Sequence, residues 1–147
     1  VFPCASLFQK LELSGYQLIE KSICKDNFYE IRALISQLLI HDNIQAIITT
    51  GGTGITWHDG TPEAILPLLD KTIDGFGEMF RSLSYQNIKT STLQSRAFAG
   101  VANGTFIFCL PGSPGACQDG WDFLISHQLD NRTRPCNLVE LMPRLQE

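Results

Sequence analysis

Apolar residues recur along the chain in two alternating patterns, one typical of helices and one typical of buried strands. The clearest helical stretch has apolar residues at i, i+3, i+4, i+7 and i+8, as expected for a helix with one buried face. These residues are Ile31, Leu34, Ile35, Leu38 and Leu39. Residues 44–48 and 105–110 are instead almost continuously apolar, which is typical of strands buried on both faces. This alternation predicts an α/β fold.

The remaining segments are interpreted by the same periodicities and by their turn residues. Ser14 and Gly15 are predicted to end a first helix, because glycine tolerates the backbone that follows a helix. Asn103-Gly104 predicts a tight turn before the second buried strand. The other predicted elements are a helix around residues 7–11, a strand over 16–24, a helix over 65–73, a helix opening at 76, a helix over 92–101 and a helix over 121–128.

A glycine-rich loop follows the first buried strand directly, at Gly51, Gly52 and Gly54. Glycines lack the Cβ atoms that keep backbone N–H groups away from a ligand, and they accept positive φ. Thr61 is predicted as the N-cap of the next helix and Pro62 as its first residue, which places a positive helix end nearby. The loop is therefore expected to bind an anion, with a Cβ at Gly52 standing where phosphate would lie. A turn that merely requires glycine is the alternative.

A second glycine-containing loop, residues 111–116, follows the second buried strand. Loops of this kind converge at the carboxyl ends of parallel strands, where ligands bind. Neither loop has the spacing G-x-x-x-x-G-K-[ST] or G-x-G-x-x-G. The chain thus lacks the signatures of P-loop nucleotidases and of dinucleotide-binding oxidoreductases.

Composition and charge narrow the possible classes of protein. The chain has 147 residues, is 44% hydrophobic and contains no apolar run long enough to span a membrane, so a single cytoplasmic domain without a membrane partner is predicted. The net charge of −4 and the lack of a Lys/Arg cluster count against binding to nucleic acid. Five cysteines, an odd number without a C-x-x-C pair, indicate free thiols in a reducing compartment.

The order of five motifs resembles the MoaB/MogA family of molybdenum cofactor biosynthesis proteins. The motifs are T-T-G-G-T-G, H-D-G-T-P-E-A, D-G-F-G-E-x-F-R-x-x-S, S-R-A-x-A-G and L-P-G-S-P-x-A. The likeness runs from about residue 7 to the C-terminus, and residues 128–137 are similar to the MoaB branch. The resemblance implies a three-layer α/β/α sandwich with a mostly parallel sheet, and molybdopterin as ligand. In active members it implies transfer of AMP from MgATP to the terminal phosphate of molybdopterin.

The AMP transfer implied by the resemblance assigns functions to residues in and near the first loop. Nucleotide phosphate is expected on the amides and hydroxyls of the segment Thr50, Gly51, Gly52, Thr53 and Gly54. Asp59 is predicted to bind Mg²⁺, since a hard cation prefers carboxylate oxygens together with substrate phosphates; capping of the helix at Thr61 is the alternative. The resemblance carries a second catalytic carboxylate onto Asp26, a residue that on sequence alone reads more readily as a helix cap.

The second loop is expected to bind the pterin end. By resemblance this role falls on Pro111, Gly112, Ser113 and Pro114. Ser95 and Arg96 supply a hydroxyl and a fork of donors suited to phosphate. Glu78 and Arg81 lie at i, i+3, where a mutual ion pair and a functional role are both open.

Two departures from the family pattern bear on activity. His58 stands where the catalytic branch usually has Arg, and only residues 1–6 precede the first helix, where the family has an apolar strand. The chain is therefore interpreted as one molybdopterin-binding domain, residues 1–147, that lacks the family's first strand. A non-catalytic paralogue that holds molybdopterin or a partner protein is the alternative to an adenylyltransferase.

Assembly is also expected. The MoaB branch implies hexamers built from trimers, and the aromatic residues Phe76, Phe80 and Tyr85 look exposed in the sequence pattern. A homo-oligomer, hexamer or trimer, is predicted, with other molybdenum cofactor biosynthesis proteins as further partners.

Overall fold

The computed structural model describes residues 5–147 and contains one four-stranded sheet with helices packed on both faces. The strands are β1 (Ala46–Thr50), β2 (Lys71–Thr72), β3 (Phe98–Ala102) and β4 (Thr105–Leu110). The α-helices are α1 (Ala5–Leu13), α2 (Phe28–Leu39), α3 (Thr61–Ile65), α4 (Asp74–Ile88), α5 (Pro114–Gly120) and α6 (Ser126–Gln128). A π-helical turn, Trp121–Ile125, joins α5 to α6, and 3₁₀ turns occupy Leu66–Leu68, Lys89–Gln94 and Val139–Arg144.

The sheet has the order β1-β4-β3-β2. Strands β1 and β4 are parallel, with Thr50 opposite Leu110, whereas β4, β3 and β2 pair antiparallel. The predicted α/β/α fold class is confirmed, and the described sheet is mixed, with one parallel and two antiparallel pairs of strands. The parallel pair is the part that matters for function, because its two carboxyl ends lie side by side.

The side chains of successive β4 residues pack alternately into two separate hydrophobic cores, one on each face of the sheet. Phe106 and Phe108 pack with α4, α5 and α1 on one face, while Ile107 and Cys109 pack with α2 and α3 on the other. Every residue of β4 is buried, as the continuous apolar run predicted. The helix patterns over 7–11 and 31–39, both buried strands and the turn at 103–104 are confirmed; Asn103 and Gly104 have φ of 45° and 74°, as a two-residue hairpin requires.

The predicted helix over residues 65–73 is wrong beyond Ile65. Helix α3 ends at Ile65, and a 3₁₀ turn follows at Leu66–Leu68. Pro67 lies in that turn, where its ring and missing N–H disfavour a continued α-helix. Lys71 and Thr72 then pair with β3.

The predicted helix over residues 92–101 is also wrong. A 3₁₀ turn ends at Gln94, and β3 begins at Phe98. A Cβ on Gly100 would lie 2.5 Å from Leu69 Cδ1 and 2.7 Å from the Lys71 carbonyl oxygen. The small residues of this segment therefore permit close approach of β2, a tertiary requirement that helix periodicity does not register.

The predicted strand over residues 16–24 is wrong as a paired strand. The segment has no regular secondary structure and forms no ladder with any described strand. The expectation of exposed aromatic residues on α4 also fails for two of its three members, since Phe76 and Phe80 are 7% and 1% exposed and belong to the core. Tyr85 is exposed.

The cysteines Cys24, Cys109 and Cys136 are free thiols, as predicted for them. The Cys117 thiol donates to the Pro111 carbonyl oxygen at 3.3 Å, and Cys4 lies outside the described residues. Burial raises the pKa of the Cys109 thiol to about 12, so this group stays protonated. No helix in residues 5–147 is long and apolar enough to cross a membrane.

Candidate functional site

Two loops leave the sheet next to each other. The Gly51 N–H donates to the Leu110 carbonyl oxygen at 2.8 Å, which joins the first residue after β1 to the last residue of β4. The glycine loop (residues 51–60) and the second loop (residues 111–115) therefore start side by side at the carboxyl edge of the sheet. The predicted convergence of the two loops is confirmed.

The glycine loop turns sharply as it leaves β1. Gly51 and Gly52 have φ of 99° and 68°, values that residues with a side chain rarely adopt. The Thr61 hydroxyl donates to the Gly51 carbonyl oxygen at 3.0 Å, and the Thr61 N–H donates to that of Gly52, also at 3.0 Å. The start of α3 is thus fastened to the turn that precedes it.

The prediction for Thr61 needs correction by one residue. The N-cap of α3 is Gly60, without a side-chain hydrogen bond, and Thr61 is the first helical residue. The Thr61 hydroxyl is buried and committed to Gly51. It therefore holds the loop closed instead of capping the helix.

The expectation for Gly52 was also wrong. A Cβ built on this residue would lie 2.2 Å from Thr61 Oγ1 and 3.3 Å from Thr61 Cβ, so it points at the protein and not into a ligand site. Glycine is required here by the closure of the loop.

Gly52→Ala is accordingly expected to lower the free energy of unfolding by about 1–3 kcal/mol, because overpacking adds to the strain of a positive φ. Urea denaturation of the purified variant measures this. Gly115→Ala is the matched control, since a Cβ at Gly115 meets nothing within 4 Å. A Gly52→Ala protein as stable as the parent would contradict the assignment.

Asp59 closes the far side of the glycine loop. Its Oδ2 accepts from the Thr56 N–H at 2.9 Å and from the Thr56 hydroxyl at 2.7 Å. The hydrogen bond from the Thr56 hydroxyl lowers the pKa of Asp59 below its usual value and is the largest influence on it. Burial raises this pKa by a smaller amount, and the Thr56 and Gly54 amides and the Arg96 charge lower it further. The carboxylate is thus ionised throughout the neutral range. The capping alternative, a bond from Asp59 to the start of α3, is not observed.

Arg96 spans the glycine loop from the side of β3. Its Nε donates to the Gly54 carbonyl oxygen and its Nη2 to that of Asp59, both at 2.7 Å. Its Nη1 and Nη2 also pair with the Glu63 carboxylate. The Arg96 N–H donates to the Thr53 carbonyl oxygen at 2.9 Å. The predicted fork of donors for phosphate is therefore engaged by the protein itself.

Residues 4–131 match a family model described as a probable molybdopterin binding domain. Molybdenum cofactor biosynthesis protein B of Escherichia coli strain K12 is 54% identical over 124 residues, which make up 84% of this chain and 73% of that protein. The chain belongs to this family of molybdenum cofactor biosynthesis proteins.

Solved structures of the family agree in fold. The tungsten cofactor synthesizing protein MoaB from Pyrococcus furiosus superposes with a TM-score of 0.73 at 35% identity, over 86% of this chain and 81% of that one. A MogA structure gives 0.74 at 30% identity, over 86% and 85%. The resemblance to the MoaB/MogA family is confirmed.

The second loop of this family member is open to solvent. Gly112, Ser113 and Pro114 are exposed, and Pro111 is half-buried. Ser113 is the N-cap of α5, accepting from the Ala116 N–H at 3.3 Å. The loop thus presents small residues at the start of a helix beside the glycine loop.

The other predicted site residues differ in their accessibility. Thr50 is half-buried at the end of β1, whereas Thr53 is 2% exposed, so the Thr53 side chain is not presented at the surface. Ser95 is half-buried, and its hydroxyl accepts from the Ala97 N–H at 3.3 Å. Ser95 immediately precedes Arg96, whose guanidinium and N–H bond to the glycine loop.

Asp26 does not cap α2, contrary to the reading of that residue on sequence alone. The cap is Asn27, whose side chain accepts from the Tyr29 and Glu30 N–H groups. Asp26 is exposed, immediately before it. The proposed pair of Glu78 with Arg81 is not formed: Arg81 donates to the Ala97 carbonyl oxygen at 2.9 Å, and Glu78 is exposed.

The sequence analysis missed the roles of two residues of the site: Thr61, which hydrogen-bonds to the carbonyl oxygens of Gly51 and Gly52, and Glu63, which pairs with Arg96. Both lie within the H-D-G-T-P-E-A motif. The acidic Glu63, two positions after Thr61 in this motif, was the only signal in the sequence. It could not identify Arg96 as the partner, because Arg96 is 33 residues away. No group of three or more His, Cys, Asp or Glu residues within 5–147 could hold a metal by itself.

Proposed function

We propose that this protein binds molybdopterin and transfers AMP from MgATP to it. The observation that carries the proposal is the junction of the two loops at Gly51 and Leu110. Two small-residue loops that start side by side can bring two anionic groups into contact. Membership of a family of molybdopterin-binding domains identifies one of the two ligands.

The reaction is an in-line displacement at phosphorus. A terminal phosphate oxygen of molybdopterin attacks the α-phosphorus of ATP, a new P–O bond forms, and the bond from the α-phosphorus to the bridging oxygen of the β-phosphate breaks. The products are adenylyl-molybdopterin and pyrophosphate, so atoms and charge balance. The protein's contribution is to align the two phosphates and to stabilise the charge that develops between them.

The glycine loop is proposed to hold the nucleotide. The N–H groups of Gly52 and Thr53 are proposed to bind phosphate, since the Gly51 N–H is already bonded to the Leu110 carbonyl oxygen. Asp59 is the residue that would hold Mg²⁺, because its carboxylate is ionised and half-exposed at the edge of this loop. Magnesium typically needs only one or two protein carboxylates, with water and substrate phosphates completing its shell. When bound, the ion would neutralise charge on the ATP phosphates.

The assay that tests the proposal is direct. The purified protein is incubated with molybdopterin and MgATP, and adenylyl-molybdopterin and pyrophosphate are measured together. Equal amounts of both products are expected. Binding of molybdopterin without either product would contradict adenylyl transfer and would leave the binding half of the proposal standing.

That second outcome defines the alternative function, a non-catalytic molybdopterin-binding protein. Two observations favour it. The guanidinium of Arg96 is already engaged by Glu63 and by two carbonyl oxygens, and His58 replaces the Arg that the resemblance leads one to expect. Fewer positive groups are then free to stabilise the developing charge.

The second loop is proposed to take molybdopterin, and a bulky side chain there should separate the two ligands. Pro114→Trp is expected to weaken molybdopterin binding at least tenfold, because an indole ring fills the exposed space beside the loop, while ATP binding is retained. Calorimetric titration with each ligand measures this, and Pro143→Trp, on an exposed proline of the last 3₁₀ turn, is the control. Loss of both ligands together would show that the loops do not divide the site.

The protein is further proposed to form trimers or hexamers and to meet other proteins of cofactor biosynthesis. Exposed apolar side chains remain on and after α4 even though its phenylalanines are buried: Met79 is 58% exposed, Tyr85 52% and Leu93 82%. Light scattering at micromolar concentration should give the mass of a trimer or a multiple of it, and Met79→Glu should reduce that mass. A monomer at this concentration would contradict the assembly.

A further inference from the structure

The tip of the glycine loop, residues 55–58, carries a tryptophan that the fold leaves uncovered. The Trp57 side chain is 96% exposed, more than any other large hydrophobic side chain in residues 5–147. Ile55, two positions earlier, is 68% exposed. The chain's other tryptophan, Trp121, is 2% exposed and belongs to the core. The loop tip therefore presents an indole ring whose whole face is available to a ligand.

The backbone that carries Trp57 is held in place. The Asp59 N–H donates to the Thr56 carbonyl oxygen at 3.0 Å, which closes a tight turn with Trp57 and His58 at its centre. The Asp59 carboxylate accepts from the Thr56 N–H and hydroxyl across the same turn. A single exposed apolar residue is common at a protein surface, but this one lies on a turn that three hydrogen bonds close.

Arg96 braces both ends of the loop tip. Its Nε donates to the carbonyl oxygen of Gly54, immediately before the tip, and its Nη2 donates to that of Asp59, immediately after it. The guanidinium is planar and rigid, so it holds the two ends at a fixed separation. A ligand that contacts the tip thus loses little affinity to the ordering of the loop.

Trp57 also lies beside the groups proposed to hold the nucleotide phosphates. It is two residues from Asp59, so the Cα atoms of the two are at most about 7 Å apart. In ATP a single ribose separates the phosphates from the adenine ring. The tip contains no Lys or Arg, which suits an uncharged ring better than a phosphate. Aromatic side chains bind nucleic-acid bases by stacking on their faces.

The pterin is the other flat ring of the proposed reaction, and the shape of the glycine loop assigns it elsewhere. The second loop meets the glycine loop at its base, where the Gly51 N–H bonds to the Leu110 carbonyl oxygen. Thr61 closes the same base by its bonds to the carbonyl oxygens of Gly51 and Gly52. Trp57 lies midway between these fastenings, at the end of the loop remote from the second loop.

We propose that Trp57 stacks on the adenine ring of ATP and thereby fixes where the base of the nucleotide lies; this inference rests on the proposed nucleotide site in the glycine loop. Trp57 is a binding residue in this arrangement. It holds the base, while the Gly52 and Thr53 amides and Asp59 hold the phosphates and the metal ion. Replacement of a stacking aromatic residue by alanine typically weakens binding of a base by roughly five- to a hundredfold.

Two ligands that differ only in the nucleoside separate stacking from phosphate binding. Calorimetric titration of Trp57→Ala should show MgATP binding weakened about tenfold, with binding of magnesium tripolyphosphate, which has no base, within twofold of the parent. Trp57→Phe should restore most of the lost ATP affinity, because phenylalanine keeps an aromatic face. Phe123→Ala is the control, at an aromatic residue that is 59% exposed and outside the glycine loop, and it should change neither affinity.

Fluorescence reports the contact itself, because the chain has only two tryptophans. Adenine stacked on an indole quenches its emission, so MgATP should quench the fluorescence of the parent protein and magnesium tripolyphosphate should not. Trp57→Phe retains only the buried Trp121. This variant should bind MgATP without a change in emission.

Each contrary result has a distinct meaning. Parent protein that binds neither MgATP nor tripolyphosphate would refute the nucleotide site and the stacking together. ATP affinity unchanged in Trp57→Ala would refute stacking alone and leave adenylyl transfer standing. Equal weakening of both ligands would make Trp57 a support of the loop, weakening of molybdopterin alone would assign the indole to the pterin, and a fall in molecular mass by light scattering would make it a contact between copies of this chain.

Discussion

Asp59→Asn is expected to lower the rate of adenylyl transfer at least about a hundredfold, because charge stabilisation by a bound metal ion contributes several kcal/mol. Asparagine has the same shape and can still accept the two hydrogen bonds from Thr56, but it carries no charge. Molybdopterin affinity should remain within about twofold of the parent, since the second loop is unaltered. Rates of pyrophosphate release and calorimetric titration with molybdopterin measure the two quantities.

The control for this substitution is Thr56→Ala. It removes the hydroxyl that bonds to Asp59 and leaves the carboxylate in place. If Asp59 only holds the glycine loop in shape, Thr56→Ala should impair transfer more than Asp59→Asn does, because asparagine can still accept both hydrogen bonds. An Asp59→Asn protein that transfers AMP at the parent rate would refute the metal assignment outright.

The direction of the pKa shift adds a dependence on pH. Because the hydrogen bond from Thr56 lowers the pKa of Asp59 in the folded protein, the stability gained from this carboxylate is complete above its ordinary pKa. It is lost as the pH falls through the lowered folded value. Transfer should therefore show no decline due to Asp59 between pH 6 and 8, and a decline in that range would arise from another group.

The sequence predicted those parts of the fold that depend on local pattern. Strand β4 was recognised because five of its six residues are apolar, and the hairpin at Asn103 because this turn requires positive φ at both positions. Strand β3 was mistaken for a helix, since alanine and glycine carry little periodic signal. Its identity is decided by the approach of Leu69 and Lys71 to Gly100, a contact between segments about 30 residues apart.

The candidate site was predicted in its location more than in its internal bonding. The junction of the loops followed from two strand–loop–helix patterns and the geometry of parallel strands. The partners of Arg96 did not follow, because Gly54, Asp59 and Glu63 lie 33 to 42 residues away in sequence. The extended character of residues 16–24 was inferred, but a strand is defined by its partner, and none of the described strands pairs with this segment.

The role of Arg96 can be decided by removing it and, separately, by removing its partner's charge. Arg96→Ala should lower the free energy of unfolding by about 2–4 kcal/mol, because it leaves the carbonyl oxygens of Gly54 and Asp59 and the Glu63 carboxylate without their donor. Because the Arg96 and Glu63 side chains are partly exposed to solvent, their charge attraction accounts for only a small part of this loss of stability. Denaturation in urea measures the change, and Arg132→Ala, which breaks the exposed ion pair with Asp130, is the surface control, for which a much smaller change is expected.

Glu63→Gln distinguishes a loop support from a phosphate ligand by the sign of its effect on ATP. If Arg96 supports the glycine loop, loss of the Glu63 charge loosens the Arg96 fork, and ATP affinity falls severalfold together with stability. If Arg96 instead binds phosphate, Glu63 competes with the nucleotide for the same guanidinium, and Glu63→Gln raises ATP affinity. The four hydrogen bonds that Arg96 makes within the protein favour the first result, and tighter binding of ATP by Glu63→Gln would contradict it.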